Sequence, residues 1–143
     1  MDALLGEHAV LYAWFDAVEE AISSEAPGGD PLLVASPLLA TLASHARIEN
    51  ELLFEPAVEE LGEAAGPVTV MIDEHEEIEA SAELAVGRRE GVGERMLEVL
   101  ARAREHFEKE ERVAFAHAER ALGEKRSREL GTEWAARRGV RLE

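Results

Sequence analysis

The chain has 143 residues, 46% of them apolar and 32% charged, with a formal net charge of −16: the length of one domain and the balance of a globular one. That charge repels phosphate backbones and anionic lipids, so nucleic acid and membrane surfaces are set aside as partners, and no apolar run approaches the ~18 residues of a membrane span. There is no cysteine, hence no disulfide, thiolate-held zinc, iron-sulfur cluster or thiol nucleophile, and any metal would have to be held by nitrogen and oxygen.

In chain order, the N-terminus lacks a basic region followed by an apolar stretch and a small-residue cleavage site, so a cytoplasmic location is expected. Leu4, Leu5, His8, Leu11, Tyr12, Phe15, Val18 and Ile22 recur at three and four residues and predict an amphipathic first helix from about Asp2 to Ser24. Pro27, Gly28, Gly29 and Pro31 end it, with an irregular connection to Ala35. Ser36-Pro37 offers an N-cap with proline at the first helical position, and a second helix should follow with Leu38, Leu39, Leu42, His45, Glu49, Leu52 and Leu53 inward, bent or ended by Pro56. Gly66-Pro67 opens a third helix whose inward stripe is Val68, Met71, Ile72, His75, Ile78, Ala82 and Ala85. After a turn from Gly87 to Gly93, a fourth runs from about Glu94 to Ala121 or Leu122. Nothing alternates over strand length. The expected fold is all-α, an up-down-up-down four-helix bundle over residues 1–122 with a short C-terminal helical extension over 123–143.

Two internal correspondences carry the chemistry. Residues 38–54, LLATLASHARIENELLF, lie on residues 99–115, VLARAREHFEKEERVAF, at an offset of 61, so that His45-x3-Glu49 matches His106-x3-Glu110 with its apolar neighbours in phase. An offset of 67 lays Leu4, Leu5, His8 and Leu11 on Met71, Ile72, His75 and Ile78, and the preceding Glu7 and Glu74 also align. Residues four apart share a helix face, so four helices offer four histidines and two glutamates toward one core. At ~1.5 Å per residue His75 and His106 stand about 20 Å from the turn that joins their helices, at one level. Buried histidines and carboxylates need partners; they serve each other or they hold metal. Spacing alone is weak evidence in so glutamate-rich a chain, and a lone histidine on an apolar face is ordinarily a core residue. The concurrence of six such residues favours metal. His117, ~16 Å further along the axis than His106, reads as structural; Glu79 as solvated or an auxiliary ligand; Tyr12 as core.

His8, His45-x3-Glu49, His75 and His106-x3-Glu110 resemble the haemerythrin-like, or HHE cation-binding, family over about residues 1–122. The resemblance implies two iron ions, oxo- or hydroxo-bridged, one held by His8 and His45, the other by His75 and His106, with Glu49 and Glu110 bridging. It implies a small-molecule ligand, dioxygen, hydrogen peroxide or nitric oxide, for sensing, scavenging or storage. Binding is favoured over enzymatic peroxide or nitric oxide redox chemistry. Two departures stand out: Met71 occupies the place where the oxygen carriers have a further histidine, and Glu110 follows His106 at four residues where they have an aspartate at five. Met71 is read as a wall of the ligand pocket. The alternatives are a haem-binding bundle, with Met71 and a histidine as axial ligands, and a metal-free structural or interaction bundle. Residues 123–143 carry six of the 15 Lys and Arg; they are expected to pack on the acidic bundle or to engage a protein partner or a second copy.

Overall fold

Apolar residues at three- and four-residue spacing put one stripe of each segment into a common core, and the computed structural model, which describes residues 1–24 and 30–141, is all-α with no strand among them. Helix α1 is Asp2–Ser23; α2 is Pro31–Glu49; a π-helical turn, Asn50–Phe54, joins α2 to α3, Glu55–Leu61; α4 is Gly66–Val86; α5 is Val92–Lys109; and a second π-helical turn, Glu110–Ala114, joins α5 to α6, Phe115–Arg138. Joined through their π turns, α2 with α3 and α5 with the start of α6 make two of the four rods of an up-down-up-down bundle, and α1 and α4 make the others. No helix among the described residues is long and apolar enough to cross a membrane.

The second helix begins earlier than Ser36-Pro37 suggested. Asp30 caps it, accepting from Leu32 N–H at 3.1 Å, and Pro31 fills the first turn, which is the same cap-plus-proline signature one step upstream. Pro37 then lies inside the helix. It removes the hydrogen bond to the Leu33 carbonyl, and Leu33 is exposed, so that carbonyl can turn to water. Pro56 does not end the rod either: it falls where the π-helical turn passes into α3, one residue after Glu55, whose N–H bonds to the Asn50 carbonyl. The Pro27-Gly28-Gly29 connection lies outside the described residues. At the far end of α4 the turn is fastened by Arg95, whose guanidinium donates to the carbonyls of Ala85, Arg88 and Glu90.

The core has two main apolar layers. Leu11, Phe15, Leu38, Leu42, Met96, Leu100 and Phe107 belong to one, and Leu4, Leu53, Phe54, Val68, Met71 and Phe115 to the other. On every rod the polar residues of interest fall between these layers: His8 between Leu4 and Leu11, His45 and Glu49 between Leu42 and Leu53, His75 between Met71 and Ile78, His106 and Glu110 between Ala103 and Ala114. Full burial of each large apolar side chain stabilises by about 1.5–3 kcal/mol, and this offsets the cost of a polar layer across the middle.

Past Ala121 the chain does not stop. Gly123 takes φ 72° and ψ 168°, a conformation open essentially to glycine alone, and the remainder of α6 turns there to lie along the bundle. Its Leu130 packs on Ile48 and Leu52, and Trp134 lies against the same group. The sequence expected a short helix in this place.

Candidate metal centre

All six residues singled out by spacing are buried: His8, His45, Glu49, His75, His106 and Glu110. They are also brought together. One atom each from His8, His45, Glu49 and Glu110 falls within 4.8 Å of the others, as does one atom each from His75, His106 and Glu110. Glu49 sits 3.1 Å from His45 Nε2 and 3.5 Å from both His8 and His75 Nε2; Glu110 sits 2.9 Å from His106 Nε2 and 3.4 Å from both His75 and His8 Nε2. Each carboxylate thus spans from one histidine pair to the other.

The outer edge of each imidazole is bound to the neighbouring helix. His45 Nδ1–H donates to Glu7 on α1 at 2.6 Å, His75 Nδ1–H to the Asn50 side-chain oxygen at 2.8 Å, His106 Nδ1–H to Glu74 on α4 at 2.9 Å, and His8 Nδ1–H to Glu111 at 2.8 Å. These contacts close a ring: α1 holds α2, the turn after α2 holds α4, α4 holds α5, and the turn after α5 holds α1. Each of the four acceptors is adjacent in sequence to an inward residue, Glu7 to His8, Asn50 to Glu49, Glu74 to His75 and Glu111 to Glu110. A one-residue step turns ~100° about the helix, from the bundle axis toward the neighbouring rod. The aligned acids Glu7 and Glu74 were the visible trace of this arrangement, but a position beside a histidine does not reveal that it serves a histidine on another helix.

With Nδ1 protonated, the inner Nε2 carries a lone pair, and it faces carboxylate oxygens that also only accept. Both oxygens of Glu49, both of Glu110, and Nε2 of His75 and of His106 are buried with no hydrogen-bond partner among the described residues. His8 and His45 Nε2 approach to 3.0 Å, a repulsive contact of two lone pairs unless a proton or cation stands between. Buried groups of this kind are costly when left unmatched. Phe107 fixes the His8 ring by stacking on it at 3.9 Å between centroids, 6° from parallel.

The electrostatics respond accordingly. Burial by itself would lower the His8 imidazole, but the Glu110 and Glu49 carboxylates hold it up at about 10, and the same contest leaves His75 at about 9. Burial and the charge of Glu110 would raise the Glu49 carboxyl, yet His45 and His75 keep it down at about 2. Glu110, against its own burial, is held well below the usual carboxylate range by His106, His75 and His8. The cluster is built to face positive charge. Imidazole nitrogen with carboxylate oxygen is a donor set that suits iron and its first-row neighbours, and the unmatched inward atoms fit such ions.

The remaining candidates fall elsewhere. Glu79 is exposed. His117 bonds to the Val113 carbonyl at 3.0 Å on the surface. Tyr12 packs edge-on against Phe15 and Phe107. Met71 lies in the apolar layer with Leu4, Leu53 and Phe54, whereas the cavity that reaches the histidines, about 190 Å³, is lined by Leu39, Leu42, Ile78, Ala82 and Phe107 with His45, His75 and His106. Met71 is thus packing on the other side of the polar layer and does not line that cavity.

No curated protein and no solved structure matches the chain. The family model of the hemerythrin HHE cation binding domain matches residues 1–118, a span that contains all six clustered residues. The chain belongs to the hemerythrin HHE cation-binding domain family.

Proposed function

We propose that this chain is a non-haem di-iron protein that binds a small neutral ligand, dioxygen, hydrogen peroxide or nitric oxide, for sensing, scavenging or storage. His8 and His45 hold one ion, His75 and His106 the other, and Glu49 and Glu110 bridge, within a bundle of residues 1–122 to which 123–143 are appended. A pair of iron ions would supply a redox-active centre with positions free for an exogenous ligand. The observation that carries this reading is the set of buried, inward and unmatched atoms on Glu49, Glu110, His75 and His106. In a metal-free bundle these atoms are matched only where the imidazoles take up protons, which sets buried charge against buried charge. A haem would need an imidazole facing a broad flat slot, whereas all four Nε2 atoms converge on two carboxylates.

The chain's own residues set what can arrive. Besides the histidines the cavity wall is mostly apolar, Phe107 included, and the exposed carboxylates of Glu79 and Glu83 also line it, which disfavours anions and admits small neutral molecules. The ring of Glu7, Asn50, Glu74 and Glu111 fixes every imidazole with its inner lone pair aimed at the centre. The test is iron per chain in protein purified from iron-supplied cells, with absorption spectra before and after reduction and exposure to air. Two irons per chain and near-ultraviolet charge-transfer bands are expected; tightly held zinc with no iron uptake would overturn the reading.

A further inference from the structure

The part of α6 beyond Gly123 lies outside residues 1–118, yet it reaches the centre. Trp134 Nε1–H donates to Glu7 Oε1 at 2.8 Å, and the Arg138 guanidinium donates to both oxygens of the same carboxylate, at 2.6 and 2.9 Å, and to Ser44 Oγ at 2.8 Å. The Glu7 oxygen opposite Trp134 is the one that accepts from His45 Nδ1. Arg137 pairs with Glu51 beside this contact. Glu7 is therefore gripped from both sides, by His45 within the bundle and by the C-terminal arm outside it. The other acceptors of the ring differ. Glu74 takes one extra donor, Lys109 of its neighbour α5, at 2.6 Å, and among the described residues Asn50 and Glu111 accept from their histidine alone.

We propose that Arg138 and Trp134 are positioning residues for His45: through Glu7 the C-terminal arm sets the affinity and electronic character of the subsite formed by His8 and His45, and leaves the subsite of His75 and His106 to Glu74 and Lys109. The inference rests on the metal reading above. A bidentate guanidinium fixes a carboxylate in plane and direction, and a carboxylate so fixed can hold the imidazole ring where its inner nitrogen meets the ion. Without Arg138, Glu7 keeps only the single donors of Trp134 and His45, and the carboxylate behind His45 is no longer fixed in plane. Loss of a hydrogen-bonding partner behind a metal-bound histidine costs about 10–100-fold in affinity, so Arg138, one step further out, is expected at the low edge, about tenfold.

The experiment uses the full chain loaded with isotopically enriched iron, with affinity read by chelator competition and the two subsites read as separate Mössbauer doublets. Arg138→Gln should weaken one ion about tenfold and shift one doublet. Trp134→Phe, which keeps the ring against Leu130, should act in the same direction more weakly. Arg138→Lys should restore part of the loss, and Lys109→Gln should move the other doublet. Arg138→Gln with both affinities and both doublets unchanged, while thermal stability of the metal-free chain falls, would show that the arm is only packing, and equal shifts of both doublets would likewise overturn the proposal. If wild-type protein takes up no iron, the metal reading itself falls and takes this inference with it. Wild-type loading with an unaltered Arg138→Gln variant sinks this inference alone.

Discussion

Four imidazoles facing two carboxylates can be matched by protons or by metal, and the two states answer pH in opposite directions. Without metal, His8 at about 10 and His75 at about 9 stand above the ~6.5 of an unfolded histidine. Their contribution to stability is then complete below about 6.5 and is lost as pH rises through 9 to 10. Glu49, at about 2, works the other way: its contribution is present above the ~4.3 of a free glutamate and is lost as pH falls toward 2. With metal bound the imidazoles must be neutral, so acid displaces the ion and base does not. Thermal unfolding of chelator-treated protein should therefore show a midpoint that declines from about pH 7 to 10, and metal-loaded protein should show its decline on the acid side. Binding at pH 7 should release protons, measurable by calorimetry in buffers of different ionisation enthalpy. At the same scale the spanning geometry of Glu49 separates it from the histidines. Glu49→Ala should lower the occupancy of both ions together by about tenfold or more, whereas His8→Ala should mainly weaken one; loss of a single ion in Glu49→Ala would contradict a bridging role.

Among the elements, the arm depends on one backbone position. Gly123→Ala forces a side chain into a conformation that L residues avoid and should destabilise the metal-free protein by about 1–3 kcal/mol, whereas Gly131→Ala, mid-helix with open space around its Cβ position, should stabilise by about 0.5–1 kcal/mol. Denaturant titration of the two variants tests the contrast. Helical periodicity showed the rods, their inward stripes and the level at which the six polar residues meet, because burial stamps a three-and-four spacing on the sequence. The start of α2 was misplaced because Asp30-Pro31 and Ser36-Pro37 carry the same cap chemistry, and nothing local shows which one tertiary packing uses. The π turns left only an oblique sign. Leu52, Leu53 and Phe54 are consecutive and all buried, too wide an apolar arc for one face of a regular helix. Widening the turn after Glu49 lets that arc face inward, and the turn that begins at Glu110 lets Glu110 and Glu111 meet opposite nitrogens of one ring, His8. Hydrogen bonds that run from one rod to a histidine on the next have no period in the sequence, which is why the ring of acceptors was missed while the residues it holds were found.

For the whole molecule, the centre draws on every rod, and the contact between His8 and Glu111 joins residues 103 positions apart. Such a site cannot exist until all four rods have docked, and closing long loops early is entropically unfavourable. Metal should then stabilise the finished fold and leave the folding transition state almost untouched. Stopped-flow experiments in denaturant should find the refolding rate of metal-loaded and metal-free protein within about twofold of each other, with the unfolding rate slowed by nearly the full stabilisation that metal confers. A refolding rate that climbs with metal concentration would place part of the centre in the transition state. On the timescale of protein turnover, the loaded molecule would then persist because it opens slowly, and its lifetime would record whether iron had reached the finished fold.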